Sequence, residues 1–358
     1  MSASLAPYTA VLFASYGGPD QPDDVLPFMR NATRGKGIPD ERLVQVSEHY
    51  MLFGGKSPIN ERNAELMAAV QGELLRRGID VPVVIGNRNW KPFFADTVAS
   101  LVADGHTRVV ALATSAYQSY SSCRQYCEDL VGASDGTPLA IDKVEPFWQA
   151  PEFAAATARC LVDGFRALSS RMGEGRVRVL FVTHSIPTSM NERSADGTPA
   201  RRYDAQHRAV AEQVAQLAAE QLGVALTWEI AYCSRSGAPH IPWLEPDVND
   251  RLEEIADDVD GVVAVPFGFI SDHMEVVYDL DTEAARTARE LGLEYERAAT
   301  VGVDPGFVAM LVDRLLEQAE VARGERSARG LCRFAEGGCC QPAPRPSRPT
   351  SSRPAEAR

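Results

Sequence analysis

Two short stretches carry the residue types from which a proton-transfer or metal site is built. Glu275, Asp279 and Glu283 lie four residues apart, so a helix through them would stack three carboxylates on one face. Like charges at that spacing cost a helix roughly a few tenths of a kcal/mol each, and a solvated acidic face is the bland explanation. Here, however, the face opens straight from Ser271-Asp272-His273-Met274, just beyond the apolar run Gly261–Pro266. His184 ends another apolar run, Val177–Thr183, in the same way. A neutral imidazole accepts a proton or binds a metal near pH 7, and a carboxylate opposite it does either. Other signals are thinner. Gly17-Gly18 lacks the G-x-G-x-x-G spacing of a dinucleotide site, and the chain has neither a Walker A sequence nor G-x-S-x-G.

Strand ends must hold such residues together. Short β-rich runs at Tyr8–Ser15, Val81–Gly86, Arg108–Thr114, Val177–Thr183, Ala225–Tyr232 and Gly261–Pro266 alternate with helical periodicity, as in Asn60–Arg76 and Arg201–Leu222. That rhythm predicts an α/β fold with parallel sheets and helices on both faces. Glu145–Glu152 breaks it between two similar halves, giving domains over 1–150 and 151–320. Ligands of open α/β sheets bind beyond the carboxyl ends of the strands. One cleft between the halves would collect Tyr16-Gly17-Gly18-Pro19, Tyr117, Tyr120, Ser121 and Tyr126. From the second half it would take His184-Ser185-Ile186-Pro187, Ser234-Arg235-Ser236-Gly237, Trp243-Leu244 and Phe267 to Glu275.

With 358 residues, 45% hydrophobic and 24% charged, the chain is neither disordered nor a disulfide-dense mini-protein. No apolar run approaches the roughly 18 residues of a membrane span, and no basic segment precedes the short apolar stretch Ala10–Ala14. A cytoplasmic location is expected. The net charge of −13 is uneven: residues 321–358 hold eight Arg and three Glu, leaving −18 on residues 1–320. A body that acidic repels nucleic acid. The last residues change character, with five prolines in Gln341–Arg358, and are expected to form a disordered tail. Of seven cysteines, Cys332, Cys339 and Cys340 crowd into nine residues, which in a reducing cytosol suggests a metal before disulfides.

Taken together, these segments resemble the ferrochelatases, which insert ferrous iron into a porphyrin. The matching stretches are Tyr16-Gly17-Gly18-Pro19, Gly54-Gly55-Lys56-Ser57-Pro58, Leu180 to Pro187, Ser234-Arg235-Ser236-Gly237 with Trp243-Leu244, and Gly268 to Glu275. They fall in the family's order over residues 8–320. The resemblance implies two Rossmann-like, chelatase-like domains around a porphyrin cleft. It implies His184 and Glu275 as the metal- and proton-handling pair, expected on opposite faces of the macrocycle, with Asp279 and Glu283 as a relay.

The resemblance also bears on substrate and cofactor. Tyr16 is the residue of the Gram-positive type acting on coproporphyrin III, where protoporphyrin IX enzymes have Met, and its phenolate is a candidate axial ligand to the ferric product. Arg30, Arg34 and Lys36, the hydroxyls of Tyr50, Ser57 and Tyr126, and Trp243 are candidate substrate contacts. Actinobacterial and animal-type members hold a [2Fe–2S] cluster on one mid-chain and three C-terminal cysteines, which implies Cys160, Cys332, Cys339 and Cys340. Zinc is the rival metal. The expected activity is coproporphyrin III ferrochelatase, a lyase of haem biosynthesis working as a monomer. Rivals are the same reaction on protoporphyrin IX, a small chelatase acting on sirohydrochlorin, and a haem-binding or redox-sensing protein that kept the fold.

Overall fold

In the computed structural model, eight strands among the described residues form two four-stranded sheets with every neighbouring pair parallel. The described residues are 4–35, 37–236, 240–332, 334 and 337–342. In the first sheet β1 (Val11–Ser15), β2 (Val83–Asn87), β3 (Arg108–Ala113) and β4 (Ala140–Lys143) run in the order β2-β1-β3-β4. In the second, β5 (Val177–His184), β6 (Thr227–Cys233), β7 (Gly261–Val265) and β8 (Glu294–Arg297) repeat it as β6-β5-β7-β8. Parallel strands are covered on both faces by their crossover helices, so central strands must be apolar throughout. Accordingly every residue of β1 and of β7 is buried. Four-residue β4 and β8 lie at sheet edges, where half the backbone faces outward and polar residues are tolerated.

Each sheet reverses its strand order between two central strands, and crevices open at such points beyond the carboxyl ends. In the first sheet the crevice lies between β1, which runs into Tyr16, and β3. In the second it lies between β5, which ends on His184, and β7, which leads to Gly268 and Glu275. Helix Ile59–Arg76 buries Leu66, Val70 and Leu74 against the first sheet, as its periodicity requires. Helix Pro151–Met172 joins the halves; its Gly164 packs so close to Ala298 that an added Cβ would come within 3.1 Å of the alanine's own. The last helix, Pro305–Ala322, starts on an Asp304 cap whose carboxylate accepts from Phe307 N at 3.0 Å. It packs on both the 59–76 and 151–172 helices.

One apolar core runs through both halves, taking Phe13 and Leu112 from the first sheet and Phe181 and Val265 from the second. Buried polar bonds cross the seam: Tyr117 OH donates to Phe267 O at 3.2 Å, and Gln118 N to Gln206 Oε1 at 2.9 Å. The segment after Ala322 turns back onto both halves. Leu331, Cys339 and Cys340 are buried, Gln118 Nε2 donates to Leu331 O, and Cys340 N donates to Ala195 O at 2.7 Å. The Pro- and Arg-rich tail expected to be disordered lies outside the described residues from 343 onward.

Candidate active site

β5 places Thr183 in the core and His184 at the lip of the crevice. A buried polar chain holds this strand end. Tyr203, first residue of helix Tyr203–Leu222, donates its hydroxyl to His184 O at 3.0 Å and lies 2.9 Å from Thr183 Oγ1. Thr183 Oγ1 is in turn 2.9 Å from His207 Nε2, while His207 Nδ1 is 2.7 Å from Tyr203 O. A carbonyl only accepts, so Nδ1 carries the proton of His207 and Nε2 accepts from the Thr183 hydroxyl. Burial pushes the His207 pKa down to about 3, so this imidazole stays neutral, stacked 3.6 Å from the ring of Tyr117. Gly268 closes the packing: a Cβ there would fall 2.1 Å from Thr183 Oγ1.

The same logic orients the ring of His184. Its Nδ1 pairs with Ser185 O, which can only accept, so Nε2 is the free base and faces Glu275 Oε2 at 3.7 Å. Burial would lower the pKa of His184, but the charge and hydrogen bonding of Glu275, with Ser185 O and Asp279 behind, hold it above the ordinary value. Glu275 lies in the first turn of Met274–Tyr278, capped by His273, whose Nδ1 accepts from Glu275 N at 3.2 Å. His273 has its own pKa lowered, chiefly by burial and also by His184.

The carboxylate series continues, with a change of phase. A π-helical turn, Asp279–Ala284, follows Tyr278, so the three acids do not form a straight α-helical stripe. Asp279 accepts from the Ser234 hydroxyl. Burial first, then the charges of Glu275 and Glu283, push its pKa up to about 7. Glu283 reaches Tyr278 and His49, whose rings stack at 3.8 Å and 9° and join helix Asp40–Met51 to the second half.

Facing this group from the first sheet is an aromatic wall. Tyr16 meets Phe28 edge-on at 6.2 Å, and Phe28 meets Tyr50 at 6.1 Å and Trp90 at 6.4 Å. The Tyr16 phenol is raised by burial and by the charge of Glu275, as is that of Tyr50. One expectation is corrected here. His184 and Glu275 do not flank a slot from opposite sides: at 3.7 Å they stand together on one side, leaving no room for a macrocycle between them.

A ferrochelatase family model matches residues 8–319. The chain belongs to the ferrochelatase family. The coproporphyrin III ferrochelatase of Streptomyces coelicolor is 47% identical to it over 96% of both chains, and that of Streptomyces griseus 46% over the same shares. Among solved structures, SirB from Bacillus subtilis with Fe3+ covers 89% of this chain and 98% of its own at 14% identity and a TM-score of 0.48.

In this ferrochelatase the expected substrate contacts fall in different surroundings. Tyr16 and Tyr50 belong to the aromatic wall. Tyr126 is buried under the guanidinium of Arg88, 4.0 Å from its ring centre, and Arg88 is held by Asp129 at 2.5 Å. Ser57 is buried against Gly18, where an added Cβ would fall 2.7 Å from the serine's own. Arg30 is exposed and paired with Asp40 at 2.6 Å, and Arg34 donates to Asn31 Oδ1 at 2.6 Å. Trp243 bridges to Pro187, and its indole N–H is buried with no partner among the described residues. Lys36 and Gly237 lie outside the described residues. Sequence reasoning missed Thr183, Tyr203 and His207 as a supporting set; the i, i+4 spacing of Tyr203 and His207 was the available signal. A cavity of about 470 Å³ lies elsewhere, between Ala64, Met67 and Gln71 and the β2 edge at Val83 and Ile85.

The expected cysteine quartet is also corrected. Cys332, Cys339 and Cys340 come together, but with Cys123 and Cys127. Cys160 instead donates to Thr300 O at 3.7 Å, beside the Arg159–Asp304 pair. The structure therefore groups the three C-terminal thiols without Cys160. Among the described residues, no three His, Cys, Asp or Glu side chains are grouped to hold a metal ion. No helix among them is long and apolar enough to cross a membrane.

Proposed function

We propose that this chain inserts ferrous iron into coproporphyrin III, as the names of its relatives state for them. The observation that carries the reading is the 3.7 Å pairing of His184 Nε2 with Glu275 opposite the Tyr16 wall. Insertion exchanges two pyrrole N–H protons for one Fe2+, so the site needs a base beside an anionic path. His184, free at Nε2, accepts the first proton and Glu275 stabilises the imidazolium that results. Asp279, poised near neutrality, and Glu283 beyond it lead the protons away or the cation in. The macrocycle stacks on the aromatic wall, above the pair rather than between its members. Tyr16 is the proposed ligand to the inserted iron, and Trp243, Arg30, Tyr50, Ser57 and Tyr126 are proposed to set the substrate's position. The cleft is proposed to lie between domains 1–150 and 151–320, in a monomer acting in the cytoplasm.

We also propose a resident [2Fe–2S] centre, as the family resemblance implies, taking no part in these steps. The test of the activity is anaerobic: Fe2+ with either porphyrin, followed by absorbance. Metallation of coproporphyrin III at least tenfold faster than protoporphyrin IX is expected; failure on coproporphyrin III overturns the reading.

A further inference from the structure

Two helices of the first half stand apart from its main core. Helix Pro22–Ala32 and helix Asp40–Met51 pack chiefly on each other, around a small core of their own built from Val25, Phe28, Met29 and Leu43. The chain enters and leaves this pair through one neck, where Ser57 N donates to Pro19 O at 2.9 Å. Left-handed glycines stand on both sides of the pair, Gly17 at a φ of 78° before it and Gly54 and Gly55 at 69° and 74° after it. A unit with its own core and small residues at its root is built to swing as a body.

His49 carries this pair across to the second half, its ring stacked on that of Tyr278 at 3.8 Å and 9°. The two residues bracket the site. His49 precedes Tyr50, which meets Phe28 in the aromatic wall. Tyr278 ends the helix whose first turn holds Glu275, and Asp279 follows it. The stack therefore joins the two sides between which the macrocycle is proposed to lie. Polar ties deeper in the seam, Tyr117 to Phe267 and Gln118 to Gln206, are buried, whereas both rings of the stack are half-buried and can part without opening a core. We infer that His49 and Tyr278 are a clasp at the mouth of the porphyrin cleft, and that helices Pro22–Ala32 and Asp40–Met51 are the lid it holds shut. The macrocycle enters, and the metallated product leaves, when the rings part. The inference rests on the porphyrin reading above and adds to it a positioning pair that takes no part in proton transfer.

The test follows metal-free coproporphyrin III binding to and leaving the full chain, by its fluorescence in a stopped-flow instrument, with protoporphyrin IX run alongside. In His49→Ala both association and dissociation are expected to quicken roughly threefold to tenfold, the worth of one aromatic pair, while their ratio stays within about twofold. His49→Phe keeps a ring on Tyr278 and is expected to return both rates to within about twofold of the parent. In the free protein, amide hydrogen exchange is expected to quicken in the two lid helices of His49→Ala and not elsewhere. Unchanged rates in His49→Ala, a loss of affinity without faster association, or His49→Phe as fast as His49→Ala overturns the clasp. So does faster exchange throughout the chain. Tyr278→Leu serves where His49→Ala does not fold. Binding of protoporphyrin IX alone overturns the coproporphyrin III reading and not the clasp, which the same rates then decide; binding of neither porphyrin overturns both.

Discussion

His184 Nε2 faces Glu275 Oε2 across 3.7 Å, and both residues are delivered by neighbouring strands of the same sheet, β5 and β7. Their shared side follows from topology. Both strands point their carboxyl ends at one crevice, so groups at those ends converge, while anything opposing them must come from the other sheet. Tyr16, at the end of β1, is such a group.

Glu275→Gln keeps the shape of the site and removes its charge. That charge raises the pKa of His184, so the variant's His184 titrates at lower pH. The base must be neutral to accept a proton, so the acid limb of the rate profile moves to lower pH. The plateau rate falls by about 10²–10⁴, the usual worth of a positioned acid–base group. Steady-state metallation between pH 5 and 9 checks both; an unmoved acid limb would separate the pair.

Asp279 gives a prediction of opposite sense in stability. Its folded pKa is raised to about 7, above that of an unfolded carboxyl near 3.9, so the folded state holds the proton more tightly. The stabilising contribution is complete below about pH 4 and is lost as pH rises towards 7. Asp279→Asn removes that loss. Relative to the parent it is expected to gain stability at pH 8, on the order of 1–3 kcal/mol after allowance for solvent screening, and little at pH 4.5. Denaturant melts at the two pH values measure the difference.

Much of this was readable beforehand, for physical reasons. The four central strands are apolar runs because parallel central strands bury both faces, as Val177–Thr183 or Gly261–Val265 states directly, and the edge strands β2 and β6 carry enough apolar residues to read alike. β4 and β8 escaped notice because Ala140–Lys143 and Glu294–Arg297 are short, polar and at sheet edges. The acids at 275, 279 and 283 were found by spacing, but the π turn that rephases them has no simple residue signature. Opposite placement of His184 and Glu275, implied by the resemblance, is an orientation that sequence does not fix. Partners distant in sequence were harder still. Nothing local tells Cys332 to meet Cys123 rather than Cys160; that choice depends on where the chain turns after Ala322.

Gly268→Ala tests how tightly the catalytic strand end is packed. The added methyl would fall 2.1 Å from Thr183 Oγ1 and 2.9 Å from Thr183 Cα, so backbone must move. Overpacking of this kind costs about 1–3 kcal/mol or more. The displacement reaches His184 through its neighbour, so metallation slows together with the loss in melting temperature. A variant as stable and as fast as the parent would show that β7 can retreat from Thr183.

Tyr203→Phe removes one oxygen from the chain behind His184. The hydroxyl donates to His184 O, while Thr183 keeps its own bond to His207 Nε2. The variant therefore takes one donor from a part-buried carbonyl and leaves His207 satisfied, at a cost of about 0.5–1.5 kcal/mol. Because the freed carbonyl belongs to His184, the imidazole loses its fixed approach to Glu275. The turnover number is expected to fall several-fold while KM for the porphyrin, set by the opposite wall, stays within a factor of two. Urea denaturation and steady-state metallation on one preparation read both effects. A matching loss of porphyrin affinity would instead mean that Tyr203 supports the whole cleft rather than the base alone.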